Sequence, residues 1–175
     1  MNAQAQLTNL ETPILLNHCQ RRELSAFEEF VNRFQKPVFS IIYRFCRDIA
    51  MTEEFSTQVF LTAWERLARA NLQNSVSPFP WLMSIVFEQL QVWEHSAAKD
   101  IPADGNRVES IGHRLDQLRL EDRYVLLLRL TLSFSYDEIA EAMSWTRPMV
   151  KASLHWSRCE LKNCLLPKIG SVKAI

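Results

Sequence analysis

From Ser135 to Leu165 the chain spells two helices with only Ser144, Trp145 and Thr146 between them, a gap that permits a sharp corner and little else. Ser135 followed three residues later by Glu138 is a capping box, in which each side chain satisfies a backbone N–H at the helix start. Ile139, Ala140 and Met143 give the first helix its apolar face. Thr146 is placed to cap the second, where Val150, Leu154 and Leu161 recur at helical spacing. A short helix, a tight turn and a second helix carrying Arg147, Lys151, His155 and Arg158 make a helix-turn-helix, whose second helix suits a DNA major groove.

The rest of the chain is consistent with helices throughout. Only 3 glycines occur in 175 residues, and no sustained alternating run demands a sheet, so the fold class is all-α. A hydrophobic content of 47% is ample for one packed domain or two small ones. The longest apolar runs, near Pro37 to Tyr43 and Tyr124 to Leu128, are too short for a membrane helix, which needs about 20 residues. The N-terminus lacks the charged start and apolar block of a secretory signal, so a cytoplasmic address and no membrane partner are expected. Cys19, Cys46, Cys159 and Cys164 show no CxxC spacing, and His18, His95, His113 and His155 form no ligand pattern with them. With no phosphate loop, HExxH or nucleophile elbow, the sequence calls for no metal, no cofactor and no catalysis. The charge balance is unusual for a nucleic-acid binder, because 20 Lys and Arg meet 20 Asp and Glu. Unaided DNA binding should therefore be weak.

Caps and apolar spacing divide the chain into an N-terminal arm and short helix over 1–23, a helical domain over 24–96, a linker over 97–107, a second helical domain over 108–165 and a tail over 166–175. The short helix is expected from Pro13 to Arg22, with Pro13 at the first position. Ser25 and Glu28 form another capping box, opening a long helix that Pro37 kinks or divides. Thr52 is placed to cap the next helix, with Glu53 and Glu54 in its first turn, where the helix dipole favours acids. Asn71 to Pro80 is expected as a loop and Trp81 to His95 as the third helix. Beyond the Pro, Gly and Asp of the linker, helices are expected from Val108 to Leu118 and from Glu121 to Leu130.

Over Leu24 to Cys164 this sequence resembles the extracytoplasmic-function sigma factors of the bacterial sigma-70 family. LRLEDRYVLLLRLTLSFSYDEIAEAMSWTRPMVKASLHWSRCELK is similar to their region 4, and AFEEFVNRFQKPVFSIIYRF with QVFLTAWERL and PFPWLMSI is similar to their region 2. The resemblance implies two small helical domains, a region 2-like bundle and a region 4-like helix-turn-helix domain, joined by the linker. It also implies a protein without chemistry of its own that binds core RNA polymerase and gives it promoter specificity. Region 2 would engage the polymerase clamp and the minus-10 element, and region 4 the minus-35 element.

The polymerase-binding residues implied are Glu53, Glu54, Phe55, Thr57, Gln58, Phe60 and Trp64. Members of the family usually carry a "DAED" cluster followed by "LVQETF" here. This chain keeps two acids, with Met51 in place of the first, and has Thr57 and Gln58 where Gln and Glu are usual. Each ion pair lost at a partly desolvated interface costs on the order of 1 kcal/mol or more, so the unmodified chain is expected to bind polymerase poorly. A Ser/Thr kinase acting on Thr52, or less favourably on Ser56 or Thr57, would add about −1.5 to −2 charges at the depleted cluster. The alternative is that Thr52 is simply the helix cap.

A second departure lies between Ala70 and Ala98, where no Lys or Arg occurs. Single-strand binding combines cations with aromatic platforms, and Phe79, Trp81 and Phe87 are the minus-10 candidates on the aromatic side, unless they belong to the core. For the minus-35 element, Arg147 and Lys151 are placed for base edges or phosphates, with His155 and Arg158 further along. Arg158 and Lys162 equally suit a solvated face near a helix C-terminus. Ser153 and Trp156 stand where family members often have arginine. Two functions of different classes follow: a sigma factor acting on core RNA polymerase and promoter DNA, or a sigma-like interaction protein that titrates an anti-sigma factor or other partner without promoter activity.

Overall fold

The computed structural model describes residues 10–70, 72, 77–97, 115 and 117–165. The expected linker (apart from Ala97), most of the expected helix over 108–118, the first residues of the arm and the tail over 166–175 lie outside the described residues. The described residues form seven helices and no strand: α1 (Thr12–Gln20), α2 (Leu24–Cys46), α3 (Ile49–Leu67), α4 (Phe79–Ala97), α5 (Leu120–Thr131), α6 (Tyr136–Met143) and α7 (Arg147–Leu165). The all-α expectation holds for them. They group into two compact units, one from residues up to Trp93 with Glu141–Ser144, the other from the described residues of Glu94–Ala140 and of the chain from Trp145 onward.

In the first unit, left-handed residues end α1 and α2 and decide where α2 and α3 begin. Arg22 has φ 65, an angle that costs a side-chain-bearing residue, and its guanidinium offsets that cost by donating to the Trp64 carbonyl at 2.6 Å and lying 5.0 Å from the Trp64 ring centroid. The turn leaves Glu23 extended as the N-cap of α2, with no side-chain cap. The box expected at Ser25 and Glu28 therefore does not open this helix, which starts at Leu24. Pro37 lies inside a single continuous α2 and does not divide it.

Arg47, with φ 54, ends α2, and Asp48 caps α3 by accepting from the Met51 N–H at 2.8 Å. This corrects the placement of Thr52, which is fully buried in the first turn and donates its hydroxyl to the Asp48 carbonyl. The helix begins four residues earlier than a Thr52 cap would allow, because Asp48 is the acceptor that the Arg47 turn delivers to the helix mouth. Likewise α4 starts at Phe79, not Trp81, with the Phe79 N–H donating to the Ser77 hydroxyl at 3.2 Å.

Ile41, Ile42, Val59, Leu67, Leu82 and Leu90 are among the residues fully shielded in this unit's core. Five rings form a continuous seam within it: Trp64 to Phe27 at 4.7 Å, Phe27 to Phe30 at 5.8 Å, Phe30 to Phe34 at 4.8 Å and Phe34 to Phe79 at 5.4 Å between centroids.

In the second unit, α5 is buried over nearly its whole length, from Leu120 through Leu128, and Tyr124 is fully shielded. Ser133, with φ 57, reverses the chain after it. The capping box at the start of α6 is formed as expected, with the Glu138 N–H on the Ser135 hydroxyl at 3.2 Å and the Ser135 N–H on the Glu138 carboxylate at 2.7 Å. Ser144, with φ 53, makes the corner, and the Trp145 N–H closes it on the Ala140 carbonyl at 2.9 Å. Helix α7 follows.

Candidate functional site

Helices α2 and α3 enclose an open groove of about 880 Å³. Its apolar lining comes from Phe27, Val31 and Phe39 of α2 and Phe60 and Leu61 of α3, with Lys36, Glu53, Ser56 and Thr57 among its polar residues. Of the seven residues expected to meet polymerase, Glu53, Thr57 and Phe60 are brought together here. Glu54 and Gln58 are exposed on α3 but do not line the groove. Phe55 is half-buried with its ring edge on Trp93 at 6.2 Å, and Trp64 is half-buried against Phe27.

Phe60 is 8% exposed, so it is wall more than contact, because α3 turns that ring toward the core. Leu61, 53% exposed, is the exposed apolar residue that α3 contributes to the groove. Sequence reasoning passed over Leu61 and the α2 side of the groove. The available signal was spacing: Leu61 follows Thr57 by one turn, and Val31 and Gln35 of α2 repeat at the same interval.

The three candidate phosphate acceptors separate by burial. Thr52 is sealed, and a phosphate there would have to break its bond to Asp48 and open the core. Ser56 is half-buried and donates to the Thr52 carbonyl at 2.7 Å. Thr57 is exposed in the groove, donating to the Glu53 carbonyl at 2.8 Å. By exposure the order runs Thr57, Ser56, Thr52, the opposite of the order expected from closeness to the helix N-terminus.

At the other end of α3, Trp81 lines a smaller hollow of about 390 Å³ together with Glu65, Arg66, Arg69 and Ala70. Arg66 and Arg69, at and just beyond the end of α3, thus stand beside Trp81. Arg66 also pairs with Glu88 at 2.7 Å. Phe79 and Phe87 do not line this hollow with Trp81: Phe79 is half-buried with its ring tilted against Phe34, and Phe87, 9% exposed, belongs to the core.

On α7, Arg147, Lys151, His155, Arg158 and Lys162 are all exposed and fall within about 80° of the helix circumference at 3.6 residues per turn. Two of them are steadied by α6: Arg147 lies 3.5 Å from the Asp137 carboxylate, and the Lys151 ammonium lies 6.0 Å from the Tyr136 ring centroid. His155 has the Cys159 sulfur 3.6 Å from its Nε2. Ser153 is buried and bonded to Asp122 of α5 at 2.6 Å, so it is an inward position where an arginine would have had no route to DNA. Trp156 is 45% exposed, with the Arg119 guanidinium 5.7 Å from its ring centroid. The neighbouring Asp122 carboxylate, bonded to Arg119, holds that guanidinium's pKa above its ordinary value.

A family model described as "Sigma-70, region 4" matches residues 109–158. RNA polymerase sigma factor YlaC of Bacillus subtilis (strain 168) is 24% identical over 158 residues, 78% of this chain and 90% of that protein. ECF RNA polymerase sigma factor SigK of Mycobacterium sp. (strain KMS) is 21% identical over 173 residues, 87% of this chain and 89% of that one. Residues 109–158 thus match sigma-70 region 4, and over most of its length the chain is similar to RNA polymerase sigma factors, an extracytoplasmic-function member among them. Among solved structures similar to this chain, CnrH in complex with the cytosolic domain of CnrY has a TM-score of 0.70 at 17% identity, covering 87% of this chain and 96% of that one. Sigma factor RpoE in complex with the anti-sigma factor NepR, from Bartonella quintana, has a TM-score of 0.58 at 15% identity, covering 79% and 96%. These likenesses show a shared fold. The region 4 match spans α5, α6 and most of α7, so the whole basic stripe up to Arg158 lies inside it.

Proposed function

We propose that this chain acts as a sigma factor that directs core RNA polymerase to a promoter, reading the minus-35 element with Arg147, Lys151, His155 and Arg158. The observation that carries this reading is the single exposed basic stripe on the second helix of a region 4 helix-turn-helix. Arg147 and Lys151, nearest the N-terminus of α7, supply base-edge contacts, and the later two follow the phosphates. In the first unit, Trp81 with Arg66 and Arg69 offers the minus-10 strand one stacking ring and two cations. Because positive and negative side chains balance at 20 each, polymerase must bring the chain to DNA.

The α2–α3 groove receives the polymerase, with an apolar floor and charged edges suited to a partner helix. An anti-sigma factor competes for the same surfaces. The acidic cluster keeps two acids, and phosphorylation of Thr57 by a Ser/Thr kinase supplies the missing charge, about −1.5 to −2. Run-off transcription from a promoter selected from the genome, with purified core polymerase, tests both parts. Wild type phosphorylated at Thr57, and Thr57→Asp in part, should transcribe more than Thr57→Ala. Equal transcription by all three sinks the switch but leaves the sigma reading intact. Silence in every state, together with tight binding of an anti-sigma factor, would replace promoter function with titration.

A further inference from the structure

The first turn of α5 buries a carboxylate. Asp122 has no exposed surface, and its two oxygens have separate partners: one accepts from the Ser153 hydroxyl of α7 at 2.6 Å, the other from the Arg119 Nε at 2.7 Å. Ser157, also buried and one turn beyond Ser153, donates to the Ser153 carbonyl at 2.8 Å and lies 3.5 Å from the Asp122 carbonyl oxygen. Arg119 continues the line to the face of Trp156. Helix α5 adds its own unpaired N-terminal amides and dipole, which favour an anion at this point.

A buried ionic group is a weak source of stability, since apolar residues of the same shape often serve as well or better. It is also demanding, because removing its partner leaves a shielded charge uncompensated. Asp122 can keep Ser153 only at one rotation of α7. Ser153 lies about 160° around that helix from the middle of the basic stripe, at 3.6 residues per turn. A slip of one residue, about 100°, would take Ser153 off Asp122 and turn the stripe aside. Nothing in the apolar contacts of Val150 and Leu154 fixes the angle as tightly, because branched aliphatic side chains tolerate rotation and repacking.

We infer that Asp122 is a positioning residue for α7: its bond from Ser153, closed over by Arg119, sets the rotation at which Arg147, Lys151, His155 and Arg158 face outward together. The use made of that rotation rests on the promoter reading above, whereas the latch itself joins two helices of one unit and is measurable without DNA.

The test is Ser153→Ala in the full-length chain, which removes the tether and leaves a small, helix-favouring side chain. Amide hydrogen exchange is compared along α6 and α7. With core polymerase bound, affinity is then measured for a duplex selected from a random-sequence pool by the wild-type chain and polymerase together, and for the same duplex scrambled. The expected result is faster exchange in α7 with α6 unchanged, and a fall of about tenfold in the selected-to-scrambled ratio, the size of one lost base contact, with scrambled binding unaltered. Unchanged exchange overturns the latch. Faster exchange with an unchanged ratio overturns its positioning role and leaves a merely structural bond. If the wild type itself prefers no duplex, the promoter reading fails separately, and exchange alone decides the latch.

Discussion

Cys19 illustrates how strongly burial governs single residues in this chain. It is fully shielded between α1 and α2, and burial, aided by nearby Glu23, pushes its thiol from 9.0 up to about 12. The unfolded chain would release that proton near 9.0 and the folded chain only near 12, so Cys19 contributes stability present below pH 9 and lost progressively as pH rises toward 12. Burial also raises Tyr124, so the decline at high pH has more than one source. Urea titrations across this range should show a shallower decline for Cys19→Ala than for wild type, from a lower starting midpoint. Equal slopes would remove Cys19 from the account. Caps show the limit of reading at this scale. Ser135 with Glu138 and Thr52 with its following acids look alike in sequence, yet one caps a helix and the other is sealed inside one. The difference was made by Arg47, whose left-handed turn hands the cap to Asp48, and nothing local in an arginine announces φ 54.

At the scale of the element, the helices themselves were legible and their outward faces were not. Apolar spacing located all seven described helices to within a few residues, because a packed face must repeat at the helical period whatever it packs against. Which exposed residues then meet in space depends on pairing, and pairing α2 with α3 is what makes Leu61 part of a groove. Leu61→Asp should leave the thermal midpoint within a few degrees, since the residue is 53% exposed, while greatly weakening capture of core polymerase in a pull-down. Undiminished capture would move the polymerase contact elsewhere. Ser153 makes a related point: it stands where family members often have arginine, and only the packing of α7 on α5 shows that the position faces inward.

For the whole molecule, electroneutrality shapes how DNA is reached. The basic stripe is local, and the remaining charges offset it to a formal net of +0. With core polymerase bound, Lys151→Ala should alter base preference and leave the salt slope of promoter binding unchanged, as loss of a base-edge contact requires. A slope reduced by about 1 would instead assign Lys151 to a phosphate. The aromatic seam carries a practical consequence. Phe27 lines the α2–α3 groove with its ring tilted against Trp64, so a guest that shifted the groove wall would also shift the ring beside an indole. A partner seated there should therefore change the protein's ultraviolet emission, a signal that needs no label.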